Sequence, residues 1–302
     1  MDYDVIIVGA GPAGLSAALI LGRCRRRVLV LDTDRPRNAA SQALHGFLSR
    51  DGIHPQEFRR IGRQQLTQYR SVKFARKEAT GACQVRGGFQ VTTADGKRLR
   101  CRKLLLATGV IDELPPLEGL EGLYGRSVFH CPYCDGWESR DEPMAVYSRS
   151  ANGVGLAIEL TVWSRDIVLC TDGARIDPGH GDRLKRHNIA WRRDRIARLE
   201  GSRGRLRRLV FANGDTLARR VMFFSLGQRQ ASHLAIELGC GLTRRGAVRT
   251  GEYEVTDIPG VYVAGDASKL VQLAIVAAAE GAQAAFAINK ALIRKDLGLS
   301  GG

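Results

Sequence analysis

The sequence predicts an α/β protein of two doubly wound units, and three observations carry that expectation. A strand–glycine turn–helix–strand pattern opens the chain, a second copy of it starts at Pro143, and unbroken apolar runs recur as the strands. A strand apolar along its whole length suits a parallel sheet covered on both faces. At 302 residues the chain is also long enough for two modest cores.

The first copy is "YDVIIVGAGPAGLSAALILGRCRRRVLVLDTD". Val5 to Val8 reads as a buried strand. Gly9, Gly11 and Gly14 then form G-x-G-x-x-G, with Ala10, Pro12 and Ala13 between them. Gly9 permits the tight turn, Gly11 lets the backbone approach a pyrophosphate, and Gly14 lets the helix pack on the strand. The exposed helix amides and the helix dipole attract the phosphate charge. The next strand, Val28 to Leu31, ends in Asp32, placed to accept a hydrogen bond from a ribose 2′-hydroxyl. Strand, turn, helix and terminal acid together read as a Rossmann-like dinucleotide site, although the motif does not separate FAD from NAD. Further on, "CQVRGGFQVTTADGKRLRCRK" alternates between Gly-Gly and Asp-Gly turns, which predicts a small antiparallel meander.

The second copy, "PMAVYSRSANGVGLAIELTVWSRDIVLCTDG", keeps the layout and loses the ligand positions. Gly9, Gly11 and Gly14 fall on Ser148, Ser150 and Gly153, and Asp32 falls on Thr171. A Cβ at Ser150 stands where a pyrophosphate must approach, and Ser148 makes the tight turn costlier. No basic cluster follows the second strand to take a 2′-phosphate; Asp172 stands there instead. Three readings are open: no nicotinamide nucleotide, NADH or weak binding, and NADPH held through an altered loop.

Composition narrows the function classes. The formal charge of +15 invites nucleic acid, but the basic residues are spread out and no aromatic-interleaved basic motif occurs. A positive surface of this kind suits an acidic protein partner, whose approach it would steer. The longest uncharged apolar run, Leu270 to Ala279, is too short to cross a membrane. The chain starts directly on "DYDVIIVGAG" without a basic leader, so a cytoplasmic location is expected. Five of seven cysteines, Cys24, Cys83, Cys101, Cys170 and Cys240, are isolated. A zinc site would need a second CxxC or a histidine pair at ligand spacing; His180 and His187 offer neither, so no metal is expected.

The other two cysteines lie in "FHCPYCDGWE". With a dinucleotide domain before them, Cys131 and Cys134 read as a redox disulfide. A CxxC pair closes a small, readily reduced ring whose outer thiol commonly has a lowered pKa. Pro132 restricts the loop, and Tyr133 is expected to shield the ring. Asp135 is the candidate general acid for the departing thiolate. His130 is a secondary candidate.

With "GAGPAG", "CPYCDG" and two further stretches, "LLLATG" (Leu104 to Gly109) and "GVYVAGDA" (Gly260 to Ala267), the chain resembles the low-molecular-weight thioredoxin reductase family over nearly its full length. "RNAASQALHGFLSRDGIHPQEF", from Arg37 to Phe58, looks most like a branch containing thioredoxin-reductase-like proteins and dithiol oxidases. The resemblance implies FAD in the first domain, with Ala107, Thr108, Gly109 and Gly265 at the cofactor. Asp266 would bond the ribityl chain, and the helix after it would aim its N-terminus at the isoalloxazine. Asn38 and His45 are expected near the flavin. The resemblance implies flavin-edge contacts at Gln272, Leu273 and Ala274, although the chain departs from the family there, with "VQLAIVAAAEGAQAA" where reductases carry Arg-Gln-Ala. The implied FAD domain is discontinuous, residues 1–118 and 247–302, and residues 119–246 form the second domain with the disulfide. A homodimer is implied as well.

The implied activity is transfer of electrons from reduced flavin, through Cys131–Cys134, to a thioredoxin-like protein or a small disulfide. In the family pattern Cys134 faces the flavin and Cys131 performs interchange. The electron donor stays open among NADPH, NADH and a small acidic iron–sulfur protein such as ferredoxin. The rival reading runs from a small dithiol through the flavin to oxygen. Dithiol oxidases typically carry His after the second Cys, so Asp135 favours the reductase.

Overall fold

The computed structural model describes residues 1–299. The chain divides into two compact units, one of Met1–Ala39, Gly46–Ile111 and the chain from Arg229, the other of Ala40–His45 and Asp112–Gln228. In chain order the first unit begins with β1 (Tyr3–Val8), α1 (Pro12–Arg23), β2 (Val28–Leu31), α2 (Pro55–Leu66) and β3 (Val72–Ala75). It continues with β4 (Ala79–Val85), β5 (Gly88–Thr93), β6 (Arg98–Leu106) and β7 (Val110–Asp112), where the chain leaves. The second unit holds β8 (Val128–Phe129), the helical turn α3 (Pro132–Asp135), β9 (Met144–Tyr147), α4 (Asn152–Glu159) and β10 (Ile167–Cys170). After them come α5 (Pro178–Arg186), β11 (Ala190–Arg192), β12 (Ile196–Ser202), β13 (Arg205–Phe211), β14 (Thr216–Ala218) and β15 (Val221–Phe224). The chain returns through β16 (Gln228–Gln230), α6 (Leu234–Glu237) and β17 (Val261–Val263), and closes with α7 (Ala274–Asp296).

The first sheet is built around β1, with the order β3-β2-β1-β6-β5-β4 and β17 also paired to β6. Residues Asp4 to Val8 are all buried, and they divide between two cores. Val5 and Ile7 face α1 and α7 with Ala17, Leu21, Ala284 and Ile288. Ile6 and Val8 face the opposite side with Leu29, Leu104, Leu234 and Val261. Alternate side chains of a strand point to opposite faces, so a fully apolar strand can fill both. The expected meander is present as β4, β5 and β6, antiparallel, with Val91 opposite Leu99. Besides β1, β6 is long enough for two further partners: its first half pairs with β5, and its second half runs parallel to β17, with Leu104 opposite Val261.

The expected boundaries shift. The return to the first unit begins at Arg229 rather than 247, and the first crossing falls at Ile111–Asp112 rather than 118–119. Leu234, Ala235, Leu238 and Cys240 are the reason: they fill the first unit's second core beside Leu104. The short stretch Ala40–His45 groups with the second unit.

In the second unit the strands β11-β10-β9-β15-β8 form a parallel sheet, and β12-β13-β14 form a separate antiparallel one. Leu199, Leu206, Leu209 and Phe211 of the latter pack on Val128, Ala145 and Tyr147. Among the described residues no helix is long and apolar enough to cross a membrane.

Two glycines of the first turn have opposite surroundings. A Cβ on Gly14 would lie 1.9 Å from the Gly9 carbonyl oxygen, whereas one on Gly11 would meet nothing within 4 Å. Gly14→Ala should therefore cost about 3 kcal/mol in urea unfolding through overpacking, and Gly11→Ala less than about 1 kcal/mol. Equal losses in the two variants would refute this packing account.

Candidate functional site

Register creates the first site. Val8 is aligned with Leu106, and Leu106 with Val263. The loops that follow, Gly9–Gly14, Ala107–Gly109 and Ala264–Asp266, therefore leave the sheet along one edge. Open α/β sheets bind ligands at this carboxyl edge. Gly9 has φ +103°, and a Cβ there would lie 2.2 Å from the Ala107 carbonyl oxygen, so the first two loops touch through backbone. Helix α1 starts with Pro12, has no side-chain cap and no acid in its first turn. Uncapped amides, the positive end of the helix dipole and the open space at Gly11 suit a phosphate group. The sequence-predicted Pro12, Ala13 and Gly14 all lie in this first turn.

Asp32 stands at the end of β2. Its Oδ1 accepts from the Ala10 amide at 3.1 Å, and its Oδ2 accepts from Arg59 at 3.1 Å, from Arg63 and from the Asp34 amide. A carboxylate oxygen has two lone pairs, so Oδ1 keeps an acceptor position for a ribose hydroxyl. Asp266 accepts from Arg37 Nη1 at 2.8 Å, and the same nitrogen donates to Gln272 Oε1 at 2.7 Å. Thr108, Gly109 and Asn38 are half-buried in their loops. Leu273 and Ala274 are half-buried at the start of α7, whose N-terminus again lacks a side-chain cap and first-turn acid. Arg37, Arg59, Arg63 and Glu280, whose Oε2 accepts from the Gly265 amide at 2.7 Å, were not singled out from the sequence. Their partners are distant along the chain; only the Arg59/Arg63 spacing on one face of α2 hinted at a shared target.

Cys131 and Cys134 are joined by a disulfide. Pro132 starts the helical turn α3, which sets the Cys131 carbonyl to accept from the Cys134 amide at 3.2 Å. Both cysteines and Asp135 are half-buried. Burial, and then repulsion from Glu138, push the Asp135 carboxyl up to about 7. A group at that value can donate a proton near neutral pH. Tyr133 does not close over the turn as expected: it is 67% exposed and sets its ring edge-on against Trp163 at 5.8 Å. His130 lies 3.3 Å from the Tyr124 hydroxyl and 3.7 Å from Asp112. His45, expected beside the flavin, belongs to this unit, with Nδ1 3.6 Å from Glu138.

The turn after β9 differs from its counterpart in the first unit. Ser148 is buried, and its hydroxyl donates to the Ser225 carbonyl at 2.9 Å and accepts from the Ser150 amide. Gly153 is a packing glycine here too, since a Cβ would come 2.5 Å from Ser148 Cβ. Asp172 accepts from Arg149 Nε at 2.8 Å, the Tyr147 hydroxyl at 3.1 Å and the Ile196 amide at 2.9 Å. Burial opposes its charge, but these donors outweigh burial and hold the carboxyl below the usual carboxylate range. Arg149 and Asp172 form one wall of a cavity of about 490 Å³ that also reaches Arg195 and Ile196. Compared with the first site, serine side chains stand at 148 and 150 where glycines left the backbone bare, while the carboxylates Asp32 and Asp172 both have protein partners. The difference between the two turns therefore lies in Ser148 and Ser150 rather than in a carboxylate.

Comparison with known proteins agrees with the chemistry of the first site and of the disulfide. Residues 3–281 match the family described as pyridine nucleotide-disulphide oxidoreductase. A probable thioredoxin reductase of Arthroderma benhamiae is 31% identical over 302 residues, covering 88% of this chain and 74% of that protein. A putative thioredoxin reductase structure from Bacillus anthracis is 33% identical, with a TM-score of 0.92, over 97% of this chain and 99% of that one. An oxidoreductase structure from Agrobacterium tumefaciens is 31% identical, with a TM-score of 0.90 and the same coverage. The chain therefore belongs to the pyridine nucleotide-disulphide oxidoreductases, as a low-molecular-weight thioredoxin-reductase-like flavin enzyme with FAD as its cofactor.

Proposed function

We propose that this enzyme reduces the disulfide of a thioredoxin-like protein through Cys131 and Cys134. The observation that carries the proposal is the disulfide turn with a half-buried carboxyl, Asp135, beside it. The similarity to a probable thioredoxin reductase supports the partner class. FAD, when bound, supplies the two-electron carrier. Two electrons and two protons convert Cys131–Cys134 to the dithiol. The Cys131 thiolate then attacks the partner's disulfide, forming a mixed disulfide and releasing one partner thiolate, which Asp135 protonates. Cys134 attacks the mixed disulfide, regenerating the internal disulfide and freeing the second partner thiol.

The donor in this proposal is not a nicotinamide nucleotide. Ser148 and Ser150 stand where the first turn has Gly9 and Gly11, and Thr171 where it has Asp32, which supports that reading. A small acidic iron–sulfur protein such as ferredoxin suits the formal charge of +15.

Stopped-flow mixing with NADPH, NADH and reduced ferredoxin in turn tests the donor. Rapid bleaching of the flavin is expected with ferredoxin alone; rapid bleaching by NADPH removes the argument from the second turn. Oxygen uptake on adding a small dithiol, with no reduction of thioredoxin, would reverse the direction of electron flow. Asp135 acts while protonated, so kcat/KM for the protein disulfide should fall as pH rises through about 7. Asp135→Asn should lower kcat/KM about 100-fold and abolish that descending limb; an unchanged pH profile removes Asp135 from the role of acid. Gly11→Ala, whose fold should survive, should lose most of its bound FAD, measured by absorbance after purification.

A further inference from the structure

The Gly265 amide is the first one past the end of a sheet ladder. The last ladder bond at this edge runs from the Ala264 amide to the Leu106 carbonyl at 3.1 Å. β17 ends at Val263, and Gly265 turns away with φ +82°. No strand can supply its acceptor, yet the site is buried, and a buried amide left unpaired is costly. The acceptor comes from the side chain of Glu280, two turns into α7, with Oε2 at 2.7 Å.

The surroundings show why that position on α7 is the available one. A Cβ on Gly281 would fall 2.0 Å from the Ala13 carbonyl oxygen, so α7 rests directly on the first turn of α1. A Cβ on Gly265 would lie 3.2 Å from Ala13 Cβ and 3.5 Å from Ala277 Cβ. Glu280 and Gly281 are thus adjacent residues that join two of the cofactor loops. Gly281 touches the pyrophosphate loop through backbone, and Glu280 holds the Gly265–Asp266 turn by hydrogen bond. Packing alone does not call for a carboxyl here. Glu280 is 6% exposed, and burial pushes it up to about 7, offset by the Gly265 amide and raised again by Glu254. Glu254 is itself buried and paired with Lys269 at 2.9 Å, and Asp266 is paired with Arg37.

We infer that Glu280 is a positioning residue of the flavin site, fixing the Gly265 amide and through it the turn that presents Asp266 to the cofactor. The inference rests on the reading of Gly265 and Asp266 as flavin contacts. Its action is on the rate at which FAD leaves and on the environment of the bound ring, and it needs an acceptor oxygen at that reach rather than a negative charge.

FAD release from the diluted holoenzyme, followed by free-flavin fluorescence, tests this together with the visible spectrum of the bound flavin. Glu280→Leu should release FAD at least about tenfold faster than the unaltered enzyme, with an altered spectrum. Glu280→Gln, which keeps the acceptor, should stay within about threefold and keep the spectrum. If Glu280→Leu does not fold, Glu280→Ser, polar but too short to reach, takes its place. Release unchanged in Glu280→Leu or its serine substitute, or as fast from Glu280→Gln as from that variant, overturns the inference. Asp266→Ala separates the two readings. Rapid release from it, with slow release from the position-280 variants, leaves Asp266 as a contact and removes Glu280. Undiminished retention in Asp266→Ala removes the contact, and the inference with it.

Discussion

The alignment of three parallel strand ends is the constraint on which the flavin unit depends. Val8, Leu106 and Val263 finish in register, so loops from residues far apart in the chain emerge along one edge. Hydrophobic burial of β1 on both faces sustains that register, because slipping by one residue would exchange the side chains facing the two cores. The loops are then brought so close that side chains have no room between them. Gly9 against Ala107, Gly14 against Gly9 and Gly281 against Ala13 are all contacts in which a Cβ would collide with a carbonyl oxygen. What remains exposed is backbone amide and helix terminus, which is what an anionic cofactor requires.

The second unit shows how little of that arrangement is needed to keep a fold. Its parallel sheet, crossing helix and packing glycine at 153 are all present. The positions that face a ligand are separate from those that hold the sheet together, so they can change without loss of the core. Ser148 is accommodated because its hydroxyl finds the Ser225 carbonyl, and Arg149 because its guanidinium finds Asp172. Serine and arginine side chains thus occupy a turn whose counterpart in the first unit, Gly9 to Gly11, is nearly bare backbone.

At the disulfide turn the chemistry is local and the electrostatics are not. Pro132 and the short helical turn set the two cysteines from adjacent sequence. The behaviour of Asp135 depends instead on its burial and on Glu138 three residues later, while Glu138 itself approaches His45 from a distant segment. Trp163 supplies the surface against which Gly136 and Tyr133 pack: a Cβ on Gly136 would come 2.8 Å from its ring. The outward lean of Tyr133 follows from that contact, which no reading of the CPYC stretch alone would anticipate.

By itself the sequence determined the α/β class, both strand–turn–helix–strand units, the meander, the Cys131–Cys134 pair and the loss of glycines at 148 and 150. Each of these is written in neighbouring residues, as an apolar run, a glycine spacing or a turn pair, and so depends on short-range sterics and burial. Only the tertiary structure decided where the chain crosses between units, because Leu234 to Cys240 carry no marker of which core they will fill. It also decided that Arg59 and Arg63 meet Asp32, that Arg37 meets Asp266, that His45 joins the second unit and that Glu280 accepts from Gly265. Those pairings bring together groups separated by many residues, and their distances are set by sheet register and helix packing rather than by local pattern.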